Sequence, residues 1–312
     1  MVVQRRAWIV DQAERRLGRG PEAQAHDAAL AGFEPRAASF IVTIYGDVVE
    51  PRGGLLWMGT LIEICADVDI SETRVRTAVS RLVTAGQLQG ERAGRRSFYR
   101  LTPTARADYA RAAETLFDPP PPPARWRILS ADEASADDMI RAGFAALGPG
   151  LFIAPDHAGA ATPPGLVFRA EVAEGGALLR DFAAQRWDLA DHARDYAAFL
   201  DRFGPLDPAG TPLAPDLAPR RALLLRLALV HSYRYALLRD PRLPPEALPP
   251  NWPGVAAGAL FARLYPALSE AADSFVGAHF QDVGGILPAT TSETRKRLRG
   301  LARMRAEAEK PV

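Results

Sequence analysis

The most regular pattern of apolar and polar positions begins at Val75. Val75, Ala78, Val79, Leu82 and Val83 fall at the i, i+3, i+4, i+7, i+8 spacing of one buried helix face. Ser71 stands where an N-cap belongs, and Gly86 where glycine closes a helix. At about 100° per residue the opposite face holds Thr73, Thr77, Ser80, Arg81 and Thr84, flanked by Arg74 and Arg76, and carries no acidic side chain. Leu88–Arg92 and Ser97–Leu101 then alternate as two short strands around Ala93-Gly94-Arg95-Arg96, which places an arginine pair at a hairpin tip. A helix with a polar, basic outer face followed by a basic hairpin predicts a winged helix-turn-helix.

This dense segment ends at Asp118 and the proline run from Pro119 to Pro123, which continues neither helix nor sheet and acts as a semi-rigid spacer. Beyond it, Trp126–Leu129 predicts a strand and Met139, Ile140, Phe144 and Leu147 a helix. Leu151–Ala154 and Leu166–Val172 predict two further strands, and Leu178, Leu179 and Phe182 a second helix. This is most of a ferredoxin-like order. From Trp187 the periodicity is helical through Leu189, Ala193, Tyr196, Ala197, Leu200 and Phe203, then over Arg220–Leu238 and Val255–Phe280. The expected fold is therefore α+β and multidomain. It comprises a mobile lead-in (1–38), a winged-helix domain (39–117), a proline linker (118–124) and a ferredoxin-like middle domain (125–186). A helical effector and dimerisation domain (187–285) and a basic tail (286–312) complete it.

Total charge conceals this local character. The chain has 312 residues, 38 basic against 37 acidic, for a net +1. Between Arg74 and Arg100, however, Arg74, Arg76, Arg81, Arg92, Arg95, Arg96 and Arg100 face Glu91 alone, a surplus of +6. Arginine is abundant throughout, the only lysines being Lys296 and Lys310, so its count alone reflects coding bias as readily as phosphate binding. The single cysteine, Cys65, excludes internal disulfides and cysteine-based zinc sites and reads as a small buried hydrophobe. No apolar run approaches the ~20 residues of a membrane span, and Met1–Arg19 lacks the apolar core of a secretory signal, so a cytoplasmic protein is expected.

The candidate DNA contacts follow from side-chain chemistry. On the helix they are Thr73, Arg74, Arg76, Thr77, Ser80 and Arg81: arginine donates two bonds to guanine, and threonine or serine reaches base edges. On the hairpin they are Arg95, Arg96, Ser97 and Tyr99, with the arginines serving phosphates or the minor groove. A solvated charged face explains each position singly; helix, glycine stop and basic hairpin in succession favour the interface.

These residues also carry a resemblance. Ser39-Phe-Ile-Val-Thr-Ile-Tyr-Gly-Asp-Val-Val, Pro51-Arg-Gly-Gly, Val75-Arg-Thr-Ala-Val-Ser-Arg-Leu and Gly94-Arg-Arg-Ser-Phe-Tyr-Arg-Leu-Thr resemble the PaaX family, repressors of phenylacetic acid degradation operons. So do Gln185-Arg-Trp-Asp-Leu, Leu229-Val-His-Ser-Tyr-Arg, Arg239-Asp-Pro-Arg-Leu-Pro and Leu248-Pro-Pro-Asn-Trp-Pro-Gly, so the likeness runs from Ser39 to about Phe280. It implies a homodimer that binds double-stranded operator DNA and is released by an acyl-CoA effector, phenylacetyl-CoA. It also implies DNA contacts at Thr77, Arg81, Arg95 and Arg96.

An effector of that kind needs cations for its phosphates and an aromatic cleft, and His231, Tyr233, Arg234, Arg239 and Trp252 are the candidates. The plainer alternative is packing, with Asp240 accepting from Arg239 or Arg242 and Trp252 in the core. No resident cofactor or metal is expected. His26, His157, His192, His231 and His279 are scattered, Asp188 and His192 read as a solvated face, and no Gly-x-Ser-x-Gly elbow occurs. Arg295, Lys296, Arg297, Arg299, Arg303 and Arg305 are expected as a solvated tail. Two rival readings are an effector-independent DNA-binding protein and a metal-dependent nuclease. The nuclease would use Asp132, just after the first strand of the middle domain, in an order similar to the CRISPR-associated small ribonucleases.

Overall fold

A computed structural model describes residues 21–131, 136–157, 164–207 and 217–308. The chain opens with α1 (Pro21–Leu30) and α2 (Ala37–Ile44), a π-helical turn (Tyr45–Val49) and a 3-10 turn (Glu50–Arg52). Then come β1 (Leu55–Trp57), α3 (Met58–Ala66), α4 (Glu72–Thr84), β2 (Leu88–Ala93), β3 (Arg96–Leu101) and α5 (Pro103–Phe117). The middle holds β4 (Trp126–Ser130), α6 (Ala136–Arg141), β5 (Ala145–Gly148), β6 (Leu151–Pro155), β7 (Leu166–Ala170) and α7 (Gly176–Arg186). The remainder is α8 (Leu189–Phe203), α9 (Pro219–Leu237), α10 (Pro253–His279), the β8–β9 hairpin (Gln281–Asp282, Gly285–Ile286) and α11 (Ser292–Ala308). The fold is α+β with small antiparallel sheets. No described helix is long and apolar enough to cross a membrane. Two compact units result: one takes the described residues up to Asp118, Phe199–Arg234 and those from Gly258 on; the other takes Pro119–Ala198 and Tyr235–Ala257. The stretch 187–285, uniform in its helical period, is thus shared between them, because a period identifies an element and not its packing partner.

In the first unit, α2, α3 and α4 pack with a three-stranded sheet of order β1-β3-β2. Val75, Ala78 and Val79 are buried as their spacing predicts, but Val83 is 40% exposed. The last turn of α4 stands out from the core and lines a groove beside Tyr99. Ser71 has the extended backbone of an N-cap without a side-chain bond, and Gly86, at φ 67°, supplies the left-handed turn that closes the helix. The hairpin loop is shorter than expected: Ala93 pairs with Arg96, leaving only Gly94 and Arg95 in the turn. Gly94, at φ 60°, occupies the first loop position, where a type II′ turn requires glycine.

Behind this sheet lies a buried ionic network that the sequence reading did not anticipate. The π turn directs Asp47 inward, where Arg226 Nε donates to it at 3.0 Å and the Tyr265 hydroxyl at 2.7 Å. Asp273 accepts from Arg226 at 2.6 Å and from Arg52 at 2.7 Å. Arg52 also donates to the carbonyls of Val48, Pro288 and Ala289. Arg297 on α11 reaches the carbonyl of Asp47 at 3.2 Å. The segments quoted as Tyr-Gly-Asp and Pro-Arg-Gly-Gly therefore supply the charges that tie α9, α10 and α11 together.

The two ends of the chain differ from expectation. Residues 1–20 of the lead-in lie outside the described residues, but 21–30 are helical, with His26 and Ala29 buried and Arg202 donating to the carbonyls of Ala29 and Ala31. The basic stretch expected as a solvated tail is the helix α11. Its Leu301 is fully buried, Arg297 is 6% exposed and Arg303 pairs with Asp118. Leu298, Leu301 and Met304 recur on one face among the arginines, and Gly300 lets the backbone approach Phe117.

The second unit holds a four-stranded antiparallel sheet of order β5-β6-β4-β7. Its core is Leu129, Met139, Phe144, Phe152 and Ala154. Strand β5 was expected as the end of a helix; Gly143, at φ 85°, stops α6 and turns the chain back. Strands β6 and β7 both run antiparallel to β4, and α7 follows β7. Asp132, the residue of the nuclease reading, lies outside the described residues.

Candidate nucleic-acid interface

Helix α4 is about 20 Å long at 1.5 Å per residue. Burial of Val75, Ala78 and Val79 leaves Thr73, Arg74, Arg76, Thr77, Ser80 and Arg81 exposed on the side away from the sheet. This face is a ridge between two grooves. One, of about 510 Å³, separates the helix from the hairpin and is lined by Arg76, Ser80, Thr84, Arg92, Ser97 and Tyr99 among others. The other, of about 410 Å³, separates it from the start of α2 and is lined by Arg36, Thr73, Arg74, Thr77 and Arg81. A ridge of donors flanked by two arginine-bearing grooves suits a duplex, whose major groove admits one helix and whose phosphate strands run along both sides.

The ion pairs sort the arginines. Arg76 bonds to Glu72 one turn earlier at 2.7 Å, both side chains 58% exposed, and Arg100 meets Glu91 at 3.2 Å. Glu72 lies just outside the stretch counted as nearly free of acids, so the outer face is partly neutralised. Arg96 does not stand at the tip. Its guanidinium lies 4.6 Å from the Trp57 ring centre and donates to Gln281 at 3.1 Å. Among the described residues Arg36, Arg74, Arg81, Arg92 and Arg95 have no acidic partner, and all five are exposed. Arg95 alone holds the turn. Ser97 and Tyr99 are half-buried in the hairpin, and the Tyr99 ring covers Gly90 while its carbonyl accepts from Tyr45 at 2.9 Å. Arg36 and Arg92 were not among the candidates; Arg92 was visible in the charge count, whereas Arg36 fell in the segment read as lead-in.

The five effector candidates divide between the two units. His231, Tyr233 and Arg234 belong to the first unit and Arg239 and Trp252 to the second. His231 Nδ1 lies 2.9 Å from the Thr43 hydroxyl, its ring edge-on to Phe33 and Phe40. Burial, and then the positive charge of Arg234, lower its pKa to about 4. Arg234 donates to Thr43 at 3.1 Å and to the Ser39 hydroxyl at 3.0 Å. Tyr233 is stacked 4.3 Å from Phe261 in the core. Arg239 pairs with Asp195 at 2.7 Å and lies over Tyr235, and Trp252 meets Tyr196 edge-on. Asp240 accepts from the Tyr196 hydroxyl and the Arg242 amide instead of the Arg239 guanidinium. Cys65 is fully buried, its thiol pushed up to about 12 by burial. Among the described residues no group of three or more His, Cys, Asp or Glu is placed to hold a metal.

Comparison with known proteins adds three findings. A family model described as PaaX-like protein matches residues 36–105, which begins at Arg36 and takes in the whole ridge and hairpin. A model described as PaaX-like protein C-terminal domain matches residues 187–278. The transcriptional repressor PaaX of Escherichia coli (strain K12) is 33% identical over 289 residues, covering 84% of this chain and 90% of the relative.

Proposed function

Because the chain belongs to the PaaX family of transcriptional repressors, we propose that α2, α3, α4 and the β2–β3 hairpin form a winged helix-turn-helix that occupies operator DNA. The observation that carries this reading is the exposed, partly unpaired face of α4 between two arginine-bearing grooves. Helix α4 enters the major groove, with Thr77, Ser80 and Arg81 at the base edges and Thr73, Arg74 and Arg76 beside them. Arg95 at the hairpin tip and Arg92 below it hold phosphates, while Arg96, seated on Trp57, stiffens the hairpin. The protein acts in the cytoplasm as a homodimer on half-sites about one helical turn of DNA, roughly 34–36 Å, or a multiple of it, apart. The four-stranded unit serves as the ferredoxin-like middle domain, a reading supported by β4 lying between β6 and β7.

The regulated genes belong to aromatic, phenylacetate-type catabolism, and an acyl-CoA such as phenylacetyl-CoA releases the operator. The effector must bind the DNA-incompetent arrangement more tightly, since a ligand shifts an equilibrium only through differential affinity. A gel shift with a labelled promoter fragment, with and without phenylacetyl-CoA, tests both halves. Specific retardation abolished by the thioester is the expected result. No retardation refutes the repressor reading, and retardation unchanged at saturating thioester refutes the effector.

A further inference from the structure

A cleft of about 530 Å³ opens in the first unit between the 45–52 turns, α5 and α11. Ligand cavities occupy about 300–1,000 Å³ and combine apolar walls with a few placed polar groups. Gly46, Tyr109 and Phe117 supply an apolar and aromatic wall here, Arg106, Arg111, Lys296 and Arg297 the cations, and Glu50, Glu114, Asp118 and Glu293 the carboxylates, of which Glu50 is paired with Arg106 and Asp118 with Arg303. Neither of the grooves beside α4 has an aromatic wall of this kind, apart from Tyr99 in one of them.

Two buried atoms at this cleft have no hydrogen-bond partner, Arg297 Nε and Glu50 Oε1. Arg297 is 6% exposed, and its guanidinium lies 4.6 Å from the Phe117 ring centre. It belongs to a buried set in which, among the described residues, three guanidiniums, Arg52, Arg226 and Arg297, pair with two carboxylates, Asp47 and Asp273, one positive charge in surplus. Glu50 does not cancel that surplus, since it is already paired with Arg106 at 3.2 Å. A buried donor and a buried surplus cation beside an aromatic wall call for an anion with an apolar body.

We infer that this cleft is the effector site and takes an aromatic acyl-CoA, the thioester's phosphates meeting Lys296, Arg106 and Arg297 and its acyl body the Tyr109 and Phe117 wall. The assignment rests on the effector reading above and gives it a place and a route. Thr102, directly after the hairpin, is the N-cap of helix α5. The Thr102 hydroxyl donates to the carbonyl of Gly86 at 2.6 Å, and its amide to that of Gln87 at 3.0 Å. The end of α4 and the start of α5 are thereby one tied corner, and a ligand leaning on α5 moves the DNA-reading helix with it. Beside the cleft-lining Gly46, the Tyr45 hydroxyl donates to the Tyr99 carbonyl of the hairpin.

The test uses the full chain and two changes in the cleft wall, Ala110→Trp and Lys296→Glu, both at exposed positions with no part in the α4 ridge. Calorimetric titration with phenylacetyl-CoA is expected to weaken by about tenfold or more in each variant. Thermal melts and ligand-free operator binding should be unchanged, and operator release should need correspondingly more thioester. If the parent neither binds phenylacetyl-CoA nor releases DNA with it, the effector reading fails and this assignment with it. If the parent binds and both variants bind equally well, the cleft alone is refuted.

Discussion

Replacing Asp273 by asparagine removes one of the two carboxylates on which the first unit's buried arginines depend. Its side chain is 8% exposed and accepts from Arg226 at 2.6 Å and Arg52 at 2.7 Å. Asparagine keeps the volume and one acceptor but not the charge, so three buried arginines would face Asp47 alone. Removing one partner of a buried pair costs about 3–5 kcal/mol, because the remaining charge stays desolvated. The retained acceptor places Asp273→Asn near the lower end, about 3 kcal/mol, against a total stability of roughly 5–15 kcal/mol. At about 2–4 °C per kcal/mol for a unit of roughly 150–250 residues, the melting temperature falls by about 6–12 °C. Urea unfolding followed by circular dichroism and by tryptophan fluorescence measures the change, and Asp108→Asn is the control. Asp108 pairs with Arg111 in solvent, at side-chain exposures of 54% and 70%, and losing such a pair costs about 0–1 kcal/mol. A loss in Asp273→Asn no larger than in the control would refute the view that this network is desolvated and held by charge.

Four further outcomes are expected. Arg81→Ala weakens specific operator binding by about 1–3 kcal/mol with little change on random DNA, as a gel shift with both competitors would reveal; equal losses on both would remove Arg81 from base reading. Glu72→Ala frees Arg76 and should tighten DNA binding overall and steepen its salt dependence by up to about one phosphate contact, whereas an unchanged slope would mean that Arg76 does not reach the duplex. Arg95→Ala weakens specific and nonspecific binding alike and flattens the salt slope by about one, in contrast to Arg96→Ala, which should lower the hairpin's stability first. The neutral His231 contributes stability above its unfolded pKa of about 6.5; as pH falls from there toward 4 the unfolded chain takes up the proton first, so up to about 3 kcal/mol is lost. His231→Gln should flatten that part of the pH–stability curve, and parallel curves for parent and variant would contradict a buried neutral imidazole.

The ridge was legible because its information is local. Helical spacing separates Val75, Ala78 and Val79 from Thr73, Thr77 and Arg81, and Gly86 and Gly94 stand where a left-handed backbone is needed. The errors arose where the deciding partner is distant in sequence. Arg96 was placed at the tip because nothing local indicates Trp57 or Gln281, and the apparent acid-free face overlooked Glu72 because the count began after it. Val83 obeys the helical period, yet α4 outruns the core that would cover it. Strand β5 was read as helix because its apolar residues continue a spacing that Gly143 interrupts.

The buried network was the least legible feature, and charge composition explains why. Arg52, Arg226 and Arg297 look the same in a sequence as the solvated Arg74 or Arg81, and arginine is the chain's default cation. Only folding brings Asp47 and Asp273 to Arg226, across separations that no periodicity spans. A net charge of +1 thus adds unlike populations: arginines spent on interior and surface pairs, and others with no acidic partner among the described residues, Arg36, Arg74, Arg81, Arg92 and Arg95 near α4 being five of them. Affinity for a polyanion depends on the second population, because a paired guanidinium must give up its carboxylate before it can displace a phosphate's counterion. Pairing, more than the total, therefore sets how strongly the ridge can hold DNA. The same logic makes the surplus behind Arg297 a property of its cleft and not of the whole chain.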